Sequence, residues 1–490
     1  MKRFGILFFC AYSALLSANP YTFSKDRLEA YYDSYLCEGK ATLGAYCPFA
    51  NKHVSPLPTP PAPVSVPNPT APPAMMGLLP FVITNNSGLP DSEVFVLVQG
   101  RVPIGGPQVF VNFNMSGVGT NHVVMVGDNG STYTHPLSYF PTSSGGRVFY
   151  LPMIDSFLVL ISLQSPLNIP VIAAGIQDPA FNNPADPNNN YSIIWDQVEG
   201  AYVSTSPNVN VDATAVSFFS IPLYLYLSTP GPGTASNCGL TQSRSTVLSY
   251  LQSVFATVPP STENTQWQNL MVPGGSTVYR ALSPGNAISA GFFDQNYLNN
   301  AAAYGYSYIA DIWTGPLSFY RIHQLSIEIP GGTVYTGGVQ SDNSFRFTSG
   351  PNVVTLTPPV QGPPYTSSTT WQILSGKLAY TATIDADGIQ VSKAFAEAVV
   401  AGILPTTSLV NASLLTTLSV FRPYYQINPN LQGLGQNTGP WYDLYSQALH
   451  ACGLIYTYAY DEPLWPEVLL ASPTLLSNTY IGITIGNCSE

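Results

Sequence analysis

Between residues 78 and 163 the chain is cut into six short runs, LLPFVITNN, EVFVLVQGRV, PQVFVNFN, HVVMVG, GRVFYLP and FLVLISL, each bounded by Gly, Pro, Asn or Ser. Runs this short leave no room for a three-turn helix, and side chains branched at Cβ fit a pleated surface. Their number and spacing predict sheets assembled as a sandwich or barrel. A helical period enters only later. STVLSYLQSVFATV (245–258) puts Val247, Leu248, Leu251, Val254 and Phe255 on one face; SKAFAEAVVAGIL (392–404) and WYDLYSQALHACGL (441–454) repeat the pattern. FFDQNYLNNAAAYGYSYIADIW (292–313) reads as a fourth helical region, and the strand-like runs LSIEIPGG, GGTVYTGG and SFRFTSG lie among these segments. The expected class is mainly β, α+β. A β-rich lobe spans about 78–235, a mixed α/β lobe about 236–425, and residues 426–490 belong to neither by pattern alone. A cleft between lobes is the expected ligand site.

The N-terminus carries its own signals. Lys2 and Arg3 precede an apolar run from Phe4 to Leu16 and the small residues Ser17 and Ala18, which reads as a secretory signal peptide over 1–18 and hence a secreted protein. A small segment, 19–54, follows. Next comes SPLPTPPAPVSVPNPTAPPA (55–74), where nine prolines in twenty residues predict an extended linker over 55–75 ahead of one domain, 76–490. No later apolar run approaches the roughly 18 residues that a spanning helix needs. Without the leader five cysteines remain, and Cys37 and Cys47 close a short loop expected to be a disulfide. The five histidines are scattered, so neither a metal site nor a cofactor is expected.

Composition matters once acids are sought. Charged residues are 8% of the chain, and 15 basic residues against a net charge of −11 argue against nucleic acid as a partner. In so uncharged a chain, WDQVEGAYVSTSPNVNVDATAVSFF (195–219) is conspicuous for Asp196, Glu199 and Asp212. There is no G-x-S-x-G nucleophile turn, no phosphate loop and no dinucleotide fingerprint. Glycan cleavage asks for less: one carboxyl kept protonated for the leaving oxygen and one ionised to activate water. Glu199, flanked by Trp195, Val198 and Tyr202, is expected to hold its proton. On residues alone it is either that or a solvated strand side chain.

The run NNNYSIIWDQVEGAYVSTSPNVNVDATAVSFFSIPLYLYL resembles the signature of glycoside hydrolase family 64, the thaumatin-like β-1,3-glucanases, where W-D-x-V-E-F is followed by N-x-S/T-x-V-D-F and a small-Pro-Leu strand. GGRVFYLP, DPNNN, YRALSPG, FFDQNY, WQILSGKL and LYSQALHACGLIYTYAYDEP resemble further family blocks in the same order, covering about 78–490. The resemblance implies a thaumatin-like β-lobe, a mixed lobe and a wide groove between them for β-1,3-glucan. It also implies an inverting mechanism with Glu199 as general acid. The family's base position falls on Ser217, which cannot accept a proton from water near neutral pH. Asp212 takes the family's Asn position, and five residues from Ser217 on one regular strand it would face the opposite way. It is the alternative base only if the strand bends. Thr214 keeps its family place and, with Trp195 and Tyr202, is a candidate substrate contact. His450, Asp461 and Glu462 match family positions but read as structural. Three functions follow: a β-1,3-glucan hydrolase, a lectin-like glucan binder that has lost its base, or a cell-surface structural protein that uses the same fold for contacts with other proteins.

Overall fold

The computed structural model describes residues 58–102, 105–143, 145–181, 190–204, 208–231, 236–257, 262–274, 277–295, 297, 312–313, 319–329, 332–358, 370–400, 404, 417–419, 443–458, 469–472 and 478–488. The leader, the 19–54 segment with Cys37 and Cys47, Asp461 and Glu462 lie outside these residues. So does most of the fourth helical region, whose described start, 292–295, is a turn and not a helix.

Five of the six runs predicted as strands between 78 and 163 form strands; of HVVMVG only His122 and Val123 lie in a strand, and 124–127 turn away from it. In chain order these are β1 (Leu79–Asn85), β2 (Val94–Arg101), β3 (Gln108–Phe113), β4 (Gly119–Val123), β5 (Gly146–Leu151), β6 (Ile154–Leu163), β7 (Ile194–Tyr202), β8 (Val209–Thr214), β9 (Leu223–Leu227), β10 (Asn237–Gly239), β11 (Leu470–Ser472) and β12 (Ile481–Ile485). One sheet has the order β10-β9-β12-β1-β5 with a short edge strand at Thr142–Ser143, and the other has β11-β8-β7-β6-β2-β3-β4. Each ends in edge strands, so the architecture is an open sandwich; the barrel alternative falls away. The chain's last described strand, β12, pairs in parallel with its first, β1. Alternation along each strand sends Phe81, Phe149 and Phe157 into the space between the sheets, where Phe81 stacks on Phe149 at 5.0 Å and meets Phe157 edge-on at 5.8 Å.

The proline-rich segment expected to be a spacer lies against the outer face of the first sheet. Val66, Pro69, Pro72, Met75 and Leu78 are its inward residues while those between them are exposed, a repeat of three that matches the polyproline II turn. Tyr480 donates its hydroxyl to the Pro69 carbonyl (2.6 Å), Tyr150 to that of Pro73 (3.1 Å), and the Gln242 amide to that of Pro61 (3.2 Å). Gly482 in β12 leaves the room: a Cβ there would come within 2.5 Å of the Pro69 ring. Without the strap, a cluster of Val82, Val148, Tyr150 and Tyr480 would face water. Tyr480→Phe is expected to lower unfolding free energy by about 0.5–1.5 kcal/mol; an unchanged urea midpoint would show that the Pro69 contact contributes nothing.

The mixed region follows the predicted helical stripe. Helix α1 (Arg244–Phe255), capped by the Ser243 side chain, buries Val247, Leu248, Leu251, Val254 and Phe255. Helix α2 (Asp385–Val400) begins before the predicted run because Asp385 and Asp387 favour its first turn. Helix α3 (Leu444–Cys452) is capped by Asp443. A third sheet, built from 325–328, 334–339, 345–349, 352–356, 380–382 and 417–419, packs Phe345 and Phe347 against Phe395 of α2. Among the described residues, no helix is long and apolar enough to cross a membrane.

Candidate active site

Strand β7 is paired on both sides, with β6 and with β8, which fixes its side chains firmly. Its core-facing residues are Val198, Gly200 and Tyr202. Gly200 is obligatory here, since a Cβ would meet the Phe157 ring at 2.6 Å and the Asn210 carbonyl at 2.3 Å. The opposite face carries Trp195, Gln197 and Glu199. The ladder sets Glu199 beside Leu158 of β6 and Asp212 of β8, and Leu158 beside Gln99 of β2. One rung of that face therefore reads Gln99, Leu158, Glu199, Asp212, and the next reads Leu97, Leu160, Gln197, Thr214. Directly opposed residues share a face, so Asp212 points to the same side as Glu199.

Glu199 is half-buried, and Gln197 Nε2 donates to its Oε1 at 2.9 Å. Burial pushes its carboxyl from the ordinary 4.5 up to about 7, and the negative charge of Asp178 adds to the rise. Such a group is still partly protonated near neutral pH, with one oxygen fixed by an amide donor. Asp196, the neighbouring acid on the core side, has a structural task. Its Oδ2 accepts from the backbone N–H groups of Ser220 (2.8 Å) and Ile221 (2.9 Å), and its Oδ1 from that of Gln197 (2.9 Å). Burial raises it to about 7 against those bonds and the nearby Arg280 charge.

Several sequence expectations change. Tyr202 faces the core and donates its hydroxyl to the Gly77 carbonyl, so it is not a groove residue. Trp195 is on the site face but lies under Phe181 and Phe218, at 2% exposure. Neither Val198 nor Tyr202 shares a face with Glu199, because one and three residues along a strand are odd spacings and reverse the face. Thr214 is on the adjoining rung yet buried, its hydroxyl accepting from the Val216 N–H at 3.4 Å. Ser217 stands beyond the end of β8, in the bend towards Phe218, its carbonyl accepting from Ser283 N–H. Asp212 and Ser217 thus share no regular strand, and the argument that Asp212 must turn away from the site does not apply. His450 is buried with Nε2 3.0 Å from the Thr457 hydroxyl, a packed histidine as expected. Gln197, Gln99 and Asp178 are the additions. Strand alternation signals Gln197, two residues before Glu199; Gln99 needs the strand order, and Asp178 enters only through the effect of its charge on Glu199. Among the described residues, no group of three or more His, Cys, Asp and Glu side chains gathers as a metal cluster would. Cys238 and Cys452 are buried thiols, and burial raises both above the ordinary thiol range.

Comparison with known proteins gives the family and the fold. The model of a glycoside hydrolase family described as β-1,3-glucanase, family 64, matches residues 77–464. No curated protein matches the chain. Among solved structures, the chain is similar to a laminaripentaose-producing β-1,3-glucanase in complex with laminaritetraose, at 20% identity and a TM-score of 0.60 over 85% of this chain and 100% of that one. It is similar also to a β-1,3-glucanase domain from Clostridium beijerinckii, at 17% identity and a TM-score of 0.60 over the same shares. At these identities what is shared is the fold.

Proposed function

Because the chain belongs to glycoside hydrolase family 64, the β-1,3-glucanases, we propose that it is a secreted hydrolase of β-1,3-glucan in which Glu199 is the general acid. The observation that carries the assignment is the state of Glu199: half-buried on a strand held from both sides, oriented by Gln197, and raised to about 7. A leaving alkoxide needs a proton at the moment the C–O bond breaks. A carboxyl that is still partly protonated near neutral pH can supply it. The laminaritetraose complex of a protein with the same fold supports a glucan as the ligand class. The secreted location rests on the N-terminal leader.

The test needs one preparation. Mature protein is incubated with laminarin and with insoluble curdlan, and both the release of reducing ends and sedimentation with the polysaccharide are measured. Release is expected. Ser217 at the family's base position favours the second reading, a glucan binder without hydrolysis, which would show sedimentation and no release. Neither signal would remove both.

The acid role fixes one limb of the pH profile. Glu199 must be protonated to act, so kcat/KM is expected to fall as pH rises through about 7. A profile flat to pH 9 would exclude it as the proton donor.

A further inference from the structure

We propose that Ser156 is a substrate-binding residue, its hydroxyl holding the glucose unit that adjoins the bond cleaved at Glu199. The proposal deepens the hydrolase reading and rests on it.

Strand β6 runs down the middle of its sheet, paired with β2 on one side and β7 on the other, and both ladders break at the same place. From Leu158 to Asp155 it takes three steps while β2 takes two, from Gln99 to Arg101; from Phe157 to Ile154 it takes three while β7 takes two, from Gly200 to Tyr202. The residue interior to both irregular stretches is Ser156, the extra residue of a β-bulge. Its φ is 48°, a left-handed conformation that crowds an L side chain and that glycine adopts without cost. Two other non-glycine residues among those described have positive φ, Gln164 and Asn343, and both lie in bends outside the strands. Strain of this kind inside a strand held from both sides persists because the surroundings impose it, and such positions gather at ligand sites. Glycine would follow the same path with less strain. What serine adds is a hydroxyl.

That hydroxyl is on the face that carries Glu199. Ile154 and Phe157 point between the sheets and are buried, whereas Ser156 is exposed, so it presents to the opposite side. On one side of the Glu199 rung this face is closed, with Leu97, Leu160, Trp195 and Thr214 buried. On the other side it is open: Ser156 is exposed, and Ala201 and Asn210 are half-buried. Ala201 follows Glu199 by two residues and is the ladder partner of Asn210. A hollow floored by one methyl group therefore runs on from the acid, with Ser156 on β6 and Asn210 on β8 at its two sides. Leu158 is the direct partner of Glu199, which makes Ser156 a diagonal neighbour at about 7–8 Å between Cβ atoms. A glycan whose bridging oxygen meets the Glu199 carboxyl reaches Ser156 with the adjoining ring. Neither the Ser156 hydroxyl nor the Asn210 amide has a hydrogen-bond partner among the described residues. A sugar hydroxyl donates and accepts, as a serine hydroxyl does, so each satisfies the other.

The experiment measures kcat and KM on laminarin for Ser156→Ala, Ser156→Gly and Ser156→Asn in the full chain, with Tm recorded for each. Ser156→Ala keeps the strain and loses the hydroxyl: KM is expected to rise about 3–10-fold, the worth of one hydrogen bond, with kcat and Tm unchanged. Ser156→Gly releases the strain, so the same rise in KM is expected with a Tm at or above that of the wild type. Asparagine tolerates the conformation and carries a donor and an acceptor, so Ser156→Asn is expected to lie closer to the wild-type KM than alanine does. A residue that served only the bulge would shift Tm and leave KM alone. In a Glu199→Gln background, where no cleavage intervenes, Ser156→Ala is expected to weaken laminaritetraose binding by the same factor. Unchanged KM and unchanged binding in Ser156→Ala overturn the proposal, as does a fall in kcat accompanied by a fall in Tm; both leave the hydrolase reading in place. A wild-type protein that releases no sugar overturns the hydrolase reading, and the binding measurement then decides on Ser156.

Discussion

Glu199→Gln should reduce the release of reducing ends from laminarin by on the order of 10²–10⁴ while sedimentation with curdlan stays unchanged. The amide keeps the shape and the contact with Gln197, but it has no proton to give. A second readout separates this from general damage. Because burial raises the carboxyl from 4.5 to about 7, the native state holds a proton that the unfolded chain has released between those values. Wild-type stability therefore loses a contribution as pH rises through that window. Glutamine mimics the protonated form at every pH, so the Tm of Glu199→Gln should gain on that of the wild type between about pH 4.5 and 7 and hold the difference above. Equal Tm at pH 5 and pH 8, together with unchanged hydrolysis, would remove Glu199 from the mechanism.

The largest effect on stability is expected at Arg280. Its guanidinium is fully buried and donates to the carbonyls of Phe181, Asn190, Tyr191 and Ile193, lies 5.1 Å from the Phe218 ring centroid, and offsets the charge of Asp196. Alanine would strand those acceptors in a site closed to water and leave the Asp196 carboxylate without its counter-charge. Removing one member of such an arrangement costs about 3–5 kcal/mol, a large part of the roughly 5–15 kcal/mol that holds a native protein together. Lysine should rescue only a fraction, since a single ammonium cannot fork to carbonyls on two segments. The same variant removes a hydrogen bond from the carbonyl of Phe181, whose ring covers Trp195 on the strand that bears Glu199, so hydrolysis should fall even below the melting transition. Urea unfolding within 1 kcal/mol of the wild type would refute the anchoring role.

What could be read without coordinates was whatever repeats locally. β-branched runs cut by Gly and Pro gave strands, the 3.6-residue stripe of 245–258 became the buried face of α1, and Glu199 stood out because carboxylates are scarce. Tyr202 was misplaced although the same alternation, applied strictly, puts it on the core side. Trp195 was different: its face was right, but Phe181 and Phe218, 14 residues before it and 23 after it, fold back to cover it. Asp178 could not be found by spacing at all. It precedes Glu199 by 21 residues in a stretch with no strand pattern, and only the effect of its charge on the Glu199 carboxyl brings it to notice. The proline-rich stretch was legible in its conformation and not in its placement, since nothing in SPLPTPPAPVSVPNPTAPPA announces that every third side chain has a sheet to lie on.

That placement changes the mechanics of the N-terminus. A free proline-rich arm of about twenty residues would let its attached portion range over roughly 60 Å from the start of β1. Held down by Tyr150, Tyr480 and Gln242, the arm has no such swing, and its described start lies beside Thr241 and Gln242, which bond Val64 and Pro61. The sandwich thus carries its own handle, welded along one flank, and any load applied there is borne by the sheet whose opposite surface packs against the floor of the proposed catalytic centre.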